Sequence, residues 1–396
     1  MKTTVGFFFG GNSVEHEVSI ISCVQAMQNT NKEKYNIIPI YIAKNKKMYY
    51  SEHFFNIENF KNISELLKKA VPVFLTIENN SVVIKAQKDS VFKKFKPIAL
   101  DVAFPVVHGT NCEDGSLQGY FELLGIPYVG CDVLASALGM DKYMFKLALK
   151  EKNVPVLNCI TFTSNEYTEN SEKIIENIEK NIGYPLIIKP QNLGSSVGIS
   201  KVENIDELKE AILLAQNFAL NILAEKAVEN LREINCSVVG YYDEFEASEC
   251  EEPIMQDKIL SYEDKYLSGG KNSKGAKTEG SKGMSSLSRK LPADITAEQK
   301  TLIQKYAVES FKAIGGHGVA RIDFLINDKT KEIFVNEINT IPGSLAFYLW
   351  EASGIPYSEL ITKLIKLAFK RQRNKENLSF SINTNILNGN FGGLKK

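Results

Sequence analysis

Two short stretches late in the chain set acid, amide and guanidinium side chains at a spacing that could gather them. Arg321-Ile322-Asp323 and Glu337-Ile338-Asn339 lie in apolar runs, 320–326 and 333–339, that read as neighbouring strands joined by a turn at 327–331. Side chains two apart on a strand share a face, so Arg321 and Asp323 point one way, as do Glu337 and Asn339. If the two faces coincide, two carboxylates and an amide oxygen converge. Hard oxygen ligands of that kind suit Mg2+, which takes a few carboxylates and keeps room for phosphate and water. Arg321 beside them would neutralise charge developing on a transferred phosphoryl group. Standing alone, the same pattern also fits a cross-strand ion pair on a solvated face.

Three further stretches carry candidate chemistry. Lys189-Pro190-Gln191-Asn192-Leu193-Gly194-Ser195-Ser196-Val197-Gly198 puts a lysine at the end of an apolar strand, followed by a turn of small residues. Backbone N–H groups in such a turn can wrap phosphate oxygens while the lysine supplies charge, although a Gly-Ser-Ser turn by itself is most often a plain hairpin. Gly10-Gly11-Asn12-Ser13-Val14-Glu15-His16-Glu17 sits between the first strand and the first helix, where α/β domains place ligands; acids there equally serve the helix dipole. His108-Gly109-Thr110-Asn111-Cys112-Glu113-Asp114-Gly115 follows another strand, where a lone histidine can also simply satisfy a loop carbonyl. The P-loop pattern G-x-x-x-x-G-K-S/T and the dinucleotide fingerprint G-x-G-x-x-G are both absent.

These groups need a scaffold. Runs 5–9, 37–43 and 99–107 read as strands, with helices such as 17–28 between them; in that helix Val18, Ile21, Val24 and Met27 recur at about three-residue spacing. An α/β unit with a parallel sheet is expected over 1–130. A second unit, 131–228, should hold helices 141–152, 172–181 and 205–216 and strands 185–189, 199–202 and 222–227. Its first two strands flank the glycine-serine loop as a hairpin lid. A third, 229–396, should hold strands 233–240, 320–326 and 333–339 and helices 297–314 and 357–370, the last with an apolar stripe at Leu360, Ile361, Leu364, Ile365, Ala368 and Phe369. Residues 268–288 carry five glycines, four lysines and many serines, and read either as a disordered linker or as an active-site lid.

At 396 residues the chain exceeds what one hydrophobic core usually supports. Lys plus Arg and Asp plus Glu both number 47, and a net charge of +0 removes the electrostatic term that nucleic-acid binders depend on. Six scattered cysteines without a C-x-x-C pair fit reduced thiols. The start lacks the charged flank and cleavage site of a signal peptide, and no apolar run reaches the ~18 residues of a membrane span. The expectation is a cytoplasmic enzyme for small molecules, with neither nucleic acid nor membrane as partner.

Taken in order, five motifs resemble the D-alanine–D-alanine ligases of the ATP-grasp superfamily. They are Gly10-Gly11-x-Ser13-x-Glu15-His16-Glu17-Val18-Ser19, His108-Gly109 through Glu113-Asp114-Gly115 to Gln118-Gly119, Met140-Asp141-Lys142, Lys189-Pro190 to Gly198, and Asn336-Glu337-Ile338-Asn339-Thr340-Ile341-Pro342-Gly343. Five elements in one order are far more specific than any one of them. The resemblance implies an ATP-grasp fold: a Rossmann-like N-terminal unit, then two α+β units enclosing ATP. It implies that Lys142, Lys189 and the Ser195-Ser196 turn hold the phosphates, with Lys265 also at the nucleotide. Glu225-Lys226-Ala227-Val228 would take the adenine and Glu233 the ribose, while Asp323, Glu337 and Asn339 would hold Mg2+ or Mn2+. Arg321 and the N–H of Gly343 would face the tetrahedral intermediate; Glu15 would pair with the first substrate's ammonium group, with Ser195 and Tyr266 beside it closing the pocket, and His108 is a further catalytic candidate. The implied reaction runs from two D-amino acids and ATP through an acyl phosphate to a dipeptide for peptidoglycan, ADP and phosphate. A homodimer is the family expectation.

Cys112, just before Glu113-Asp114-Gly115, stands where many members have glycine and is expected to matter little; a second departure matters more. Residues 342–350 are shorter than the corresponding segment, which bears on the second substrate. Together with the long 268–288 loop and the tail at 383–387, this resembles VanG-type ligases of glycopeptide resistance, which make D-alanyl-D-serine. Tyr266 speaks against D-lactate. A non-catalytic ATP-grasp binding protein is the alternative of another class, but it would be expected to lose a metal ligand or a phosphate lysine, and none is missing.

Overall fold

The computed structural model describes residues 2–88, 95–254 and 289–379, arranged around three β-sheets. The first has the order β6-β5-β4-β3-β2-β1-β7 and comprises β1 (Thr3–Gly10), β2 (Tyr35–Ile42), β3 (Met48–Tyr50), β4 (Val71–Glu78), β5 (Ser81–Ala86), β6 (Ile98–Leu100) and β7 (Val102–Val106). Only β2, β1 and β7 run parallel; β3 to β6 extend the sheet antiparallel, so the expected parallel sheet is a mixed one. The reason is connection length. A two-residue loop, Asn79-Asn80, joins β4 to β5 with φ of 48° and 61°, and such a loop can only link antiparallel neighbours. In the centre, Val5, Phe7, Phe8 and Phe9 are fully buried, as a strand covered on both faces requires.

The second sheet, order β10-β9-β11-β8, is antiparallel and comprises β8 (Cys159–Thr163), β9 (Leu186–Pro190), β10 (Ser200–Val202) and β11 (Asn221–Lys226). Helices Ser164–Asn181 and Ile205–Gln216 pack on it through Ile178, Leu208 and Ile212. The first of these starts earlier than its apolar period suggests, because Thr163 and Glu166 form a reciprocal capping box and the helix kinks at Asn170. β9 and β10 pair across the glycine-serine loop as expected.

The third sheet, order β14-β13-β12-β15-β16, comprises β12 (Leu231–Tyr241), β13 (Glu244–Pro253), β14 (Arg289–Lys290), β15 (Gly318–Asn327) and β16 (Ile333–Asn339). Helix Ala297–Ala313 covers it through Ile303, Ala307 and Phe311. Helix Tyr357–Glu376 does something the sequence does not foretell: its stripe Leu360, Ile361, Leu364, Ile365 and Ala368 packs with Phe7, Val24, Met27 and Phe104 of the first unit. Arg371 of that helix donates to the carbonyls of Gly130 and Tyr128 at 2.6 and 2.7 Å, tying the last unit to the end of the first.

Candidate active site

β15 and β16 are antiparallel neighbours in a register that sets Asp323 opposite Glu337 and Arg321 opposite Asn339. Directly opposed residues share a face, so all four side chains meet in one cavity, which Glu15, His108, Ser195, Glu233 and Gly343 also line. Arg321 forks onto Asp323, Nε to Oδ1 and Nη2 to Oδ2, both at 2.7 Å. Burial opposes the guanidinium's charge, but Asp323 outweighs it and Arg321 stays protonated far above its ordinary range. Asn339 donates its amide N–H to Asp323 at 3.1 Å, and turning that amide over presents its oxygen instead. Among the described residues no cluster of three or more His, Cys, Asp or Glu side chains is placed to hold a metal. Two carboxylates with an amide oxygen nevertheless fit Mg2+, which leaves its other positions to phosphate and water.

Lysines approach this centre from the second unit. Lys142 opens helix Lys142–Glu151 and reaches the Leu193 carbonyl at 2.7 Å and Glu337 at 3.3 Å, so it joins the glycine-serine loop to the acidic pair. Lys189, at the end of β9, donates to Asn336 at 3.2 Å and pairs with Glu225. Ser195 and Ser196 both hold left-handed φ, 57° and 56°, which costs non-glycine residues roughly 1–2 kcal/mol each and persists only where the surroundings enforce it. Part of that enforcement is Glu15, which accepts the Ser195 hydroxyl. A Cβ on Gly194 would come within 3.2 Å of Glu15, so a larger residue there would make this carboxylate give way by a few tenths of an ångström.

Three cavities adjoin and have lining residues in common. The acidic one shares Glu233, Asp323 and Glu337 with a second, lined by Lys189 and Ser196, and that one shares Ile187, Glu225, Leu231 and Leu325 with a third. The third contains Lys226, Ala227 and Val228 beside Pro185 and Leu157. The resulting run is apolar at one end and carboxylate-rich at the other, with Lys189 and the Ser196 turn between them, an arrangement that suits a nucleotide and an ammonium-bearing substrate. The sequence-expected site residues within the described regions line these cavities, except Lys142, which touches them through Glu337. Lys265, Tyr266, loop 268–288 and tail 383–387 lie outside the described residues.

Several site groups were given no role by the sequence. Glu113 is buried at the acidic end, where burial first and then the charge of Glu15 push its carboxyl up to about 7, against backbone N–H bonds that pull it down. Glu251 of β13 accepts from Asn235, from Tyr348 at 2.8 Å and from Arg289 at 2.6 Å, while Arg289 lies 3.9 Å over the Tyr348 ring. These residues line the same cavity as Glu15. Lys146, 1% exposed, pairs with Glu225 at 3.0 Å. It had a signal: a lysine one turn after Lys142, on the same helix face as Phe145 and Leu149.

With this geometry in place, known proteins can be set beside the chain. The family model "D-ala D-ala ligase N-terminus" matches residues 4–131 and "D-ala D-ala ligase C-terminus" matches 148–366. The D-alanine–D-alanine ligase of Thermosipho melanesiensis is 40% identical over 385 residues, covering 97% of this chain and 98% of its own. That of Acetivibrio thermocellus is 39% identical over 386 residues, covering 93% and 96%. Among solved structures, the D-alanine–D-alanine ligase from Coxiella burnetii superposes with a TM-score of 0.77 at 28% identity, covering 95% and 96% of the two chains. The VanG D-Ala:D-Ser ligase from Enterococcus faecalis gives 0.75 at 32%, covering 93% and 100%.

Proposed function

This chain belongs to the D-alanine–D-alanine ligase family with its ATP-grasp fold, and on that premise we propose that it joins two D-alanines at the expense of ATP, for peptidoglycan. The observation that carries the reading is the run of adjoining cavities, which lines up an apolar pocket, Lys189, an oxygen-donor pair with its arginine, and Glu15. We assign residues 1–130, 131–228 and 229–396 as its three structural units.

Adenine sits at residues 225–228 and ribose at Glu233; the phosphates lie between Lys142, Lys189 and the Ser195-Ser196 turn. Asp323, Glu337 and Asn339 would hold Mg2+ or Mn2+, whose charge, when bound, offsets that of the transferred phosphoryl group. Glu15 takes the first D-alanine's ammonium group, with Ser195 bonded to it. That substrate's carboxylate attacks the γ-phosphorus and ADP leaves; a carboxylate is a poor electrophile until it is phosphorylated. The second D-alanine's free amine then attacks the acyl carbon, and phosphate departs. Arg321 and the Gly343 N–H are the donors for the oxyanion formed on the way. We place the enzyme in the cytoplasm, where ATP is supplied, as a homodimer. No helix among the described residues is long and apolar enough to cross a membrane.

The second substrate is the sharper question, since the VanG ligase is also similar over nearly the whole chain. Given D-alanine alone, the enzyme should release ADP at its full rate and form D-alanyl-D-alanine; adding D-serine or D-lactate should leave that dipeptide dominant by mass spectrometry. Predominance of D-alanyl-D-serine would move the chain to the VanG-type activity. An absence of ADP under every pairing would leave the non-catalytic alternative.

A further inference from the structure

The turn that carries Gly343 is anchored from the first unit by a one-way chain of hydrogen bonds. We propose that His108, Ser22 and Glu113 are positioning residues that fix this turn and so aim the Gly343 amide at the reacting carboxyl, an assignment that rests on the ligase reading above. Ile341 is gripped by both of its peptide groups: its N–H donates to Glu113 Oε1 at 2.9 Å, and its carbonyl lies 2.7 Å from His108 Nδ1. A carbonyl only accepts, so Nδ1 carries the proton. Burial keeps the His108 ring below its ordinary pKa, hence neutral, which makes Nε2 an acceptor. Ser22 Oγ, 2.9 Å from Nε2, therefore donates to it and uses a lone pair for the Ser344 N–H, also at 2.9 Å. The Ser344 hydroxyl completes the chain on Gln25 at 2.6 Å, one helical turn beyond Ser22.

The effect is that the residues flanking Pro342-Gly343 are both fixed, Ile341 by the 108–113 loop and Ser344 by helix His16–Asn29. The other Glu113 oxygen accepts the Gly109 N–H at 3.1 Å, closing that loop on itself. Such restraint is needed, because Ser344, Leu345 and Ala346 follow one another in left-handed conformation at φ of 50°, 56° and 51°. Both ring nitrogens of His108 are committed to the turn and to Ser22, away from any proton the reaction moves. His108 acts through Gly343, not as an acid or base.

The test uses full-length Ser22→Ala, His108→Asn and the double variant, with kcat, KM for D-alanine, ADP affinity by calorimetry, thermal midpoint, and inhibition by a dipeptide analogue bearing a tetrahedral phosphinate. Ser22→Ala should lower kcat by about 10²-fold while KM for D-alanine and ADP affinity hold, since a small misplacement at the reacting centre is felt in the transition state. Affinity for the phosphinate should fall in step with kcat/KM. His108→Asn keeps a donor near the Ile341 carbonyl but severs its bond to Ser22, so the double variant should lose clearly less than the two single losses combined, its one further loss being the Ser22 acceptor of the Ser344 N–H. An unimpaired kcat in Ser22→Ala, a loss confined to the thermal midpoint, or fully additive losses would each overturn the positioning role. A wild-type chain that releases no ADP with D-alanine overturns the ligase reading itself, and this assignment with it.

Discussion

Asp323→Asn and Glu337→Gln should each cut D-alanine-dependent ADP release by about 10³-fold or more, because charge stabilisation on a transferred phosphoryl group supplies most of the catalysis in this chemistry. The Ala variants should be as inactive, but they are the poorer test of one position. Asp323 is the fork partner of Arg321, and Arg321 is nearly buried. Truncating the carboxylate strands that guanidinium, so Asp323→Ala loses stability along with activity. Asparagine keeps the volume and one acceptor, and its folded baseline by circular dichroism should match the wild type. Glu337 pairs with Lys142 at 3.3 Å, and Glu337→Gln retains the shape of that contact. Near-normal turnover in either conservative variant would remove the metal assignment and with it the reason for placing phosphate here.

That pair was legible in the sequence because its strands are short, apolar and clearly alternating, and because i and i+2 spacing fixes faces without any tertiary information. What sequence could not give was the register: Asp323 lies opposite Glu337 only because the two strands pair as they do, with an irregularity just after Asp323. β13 was invisible for the opposite reason. Its Glu244–Pro253 stretch buries Ser248, Cys250 and Glu251 in place of a hydrophobic run, so the wall formed by Glu251, Tyr348 and Arg289 went unseen. The final helix shows a third kind of limit. Its stripe is plain in the residues, yet a stripe states that a face is buried and not against which partner, and the partner proved to be the first unit. Glu113 was quoted within a motif without a role; only its bond to Ile341, 228 residues away, gives it one.

The buried ion triad of the second unit should dominate stability. Glu225→Ala is expected to cost about 3–5 kcal/mol, read as the shift in urea midpoint, because it leaves the ammonium groups of Lys146 and Lys189 facing each other with no anion between them. Lys146→Met should cost much less. It removes the lysine whose charge burial already disfavours, and the 3.0 Å contact it loses is an ion pair without hydrogen-bond alignment, while Lys189 still answers Glu225. The same triad sets an acid limb. Burial pushes the Glu225 carboxyl up, but Lys146 and Lys189 together hold it down at about 2, against an ordinary 4.5. A folded pKa below the unfolded one means the stabilisation is present above about pH 4.5 and drains away as pH falls toward 2, a swing of about 3 kcal/mol at most. Glu225→Gln should lack that part of the acid limb. If wild type and Glu225→Gln lose stability in parallel between pH 4.5 and 2, the triad is not the source; if Lys146→Met proves as damaging as Glu225→Ala, the carboxylate is not its keystone, and the positioning of Lys189 for phosphate must come from Asn336 instead.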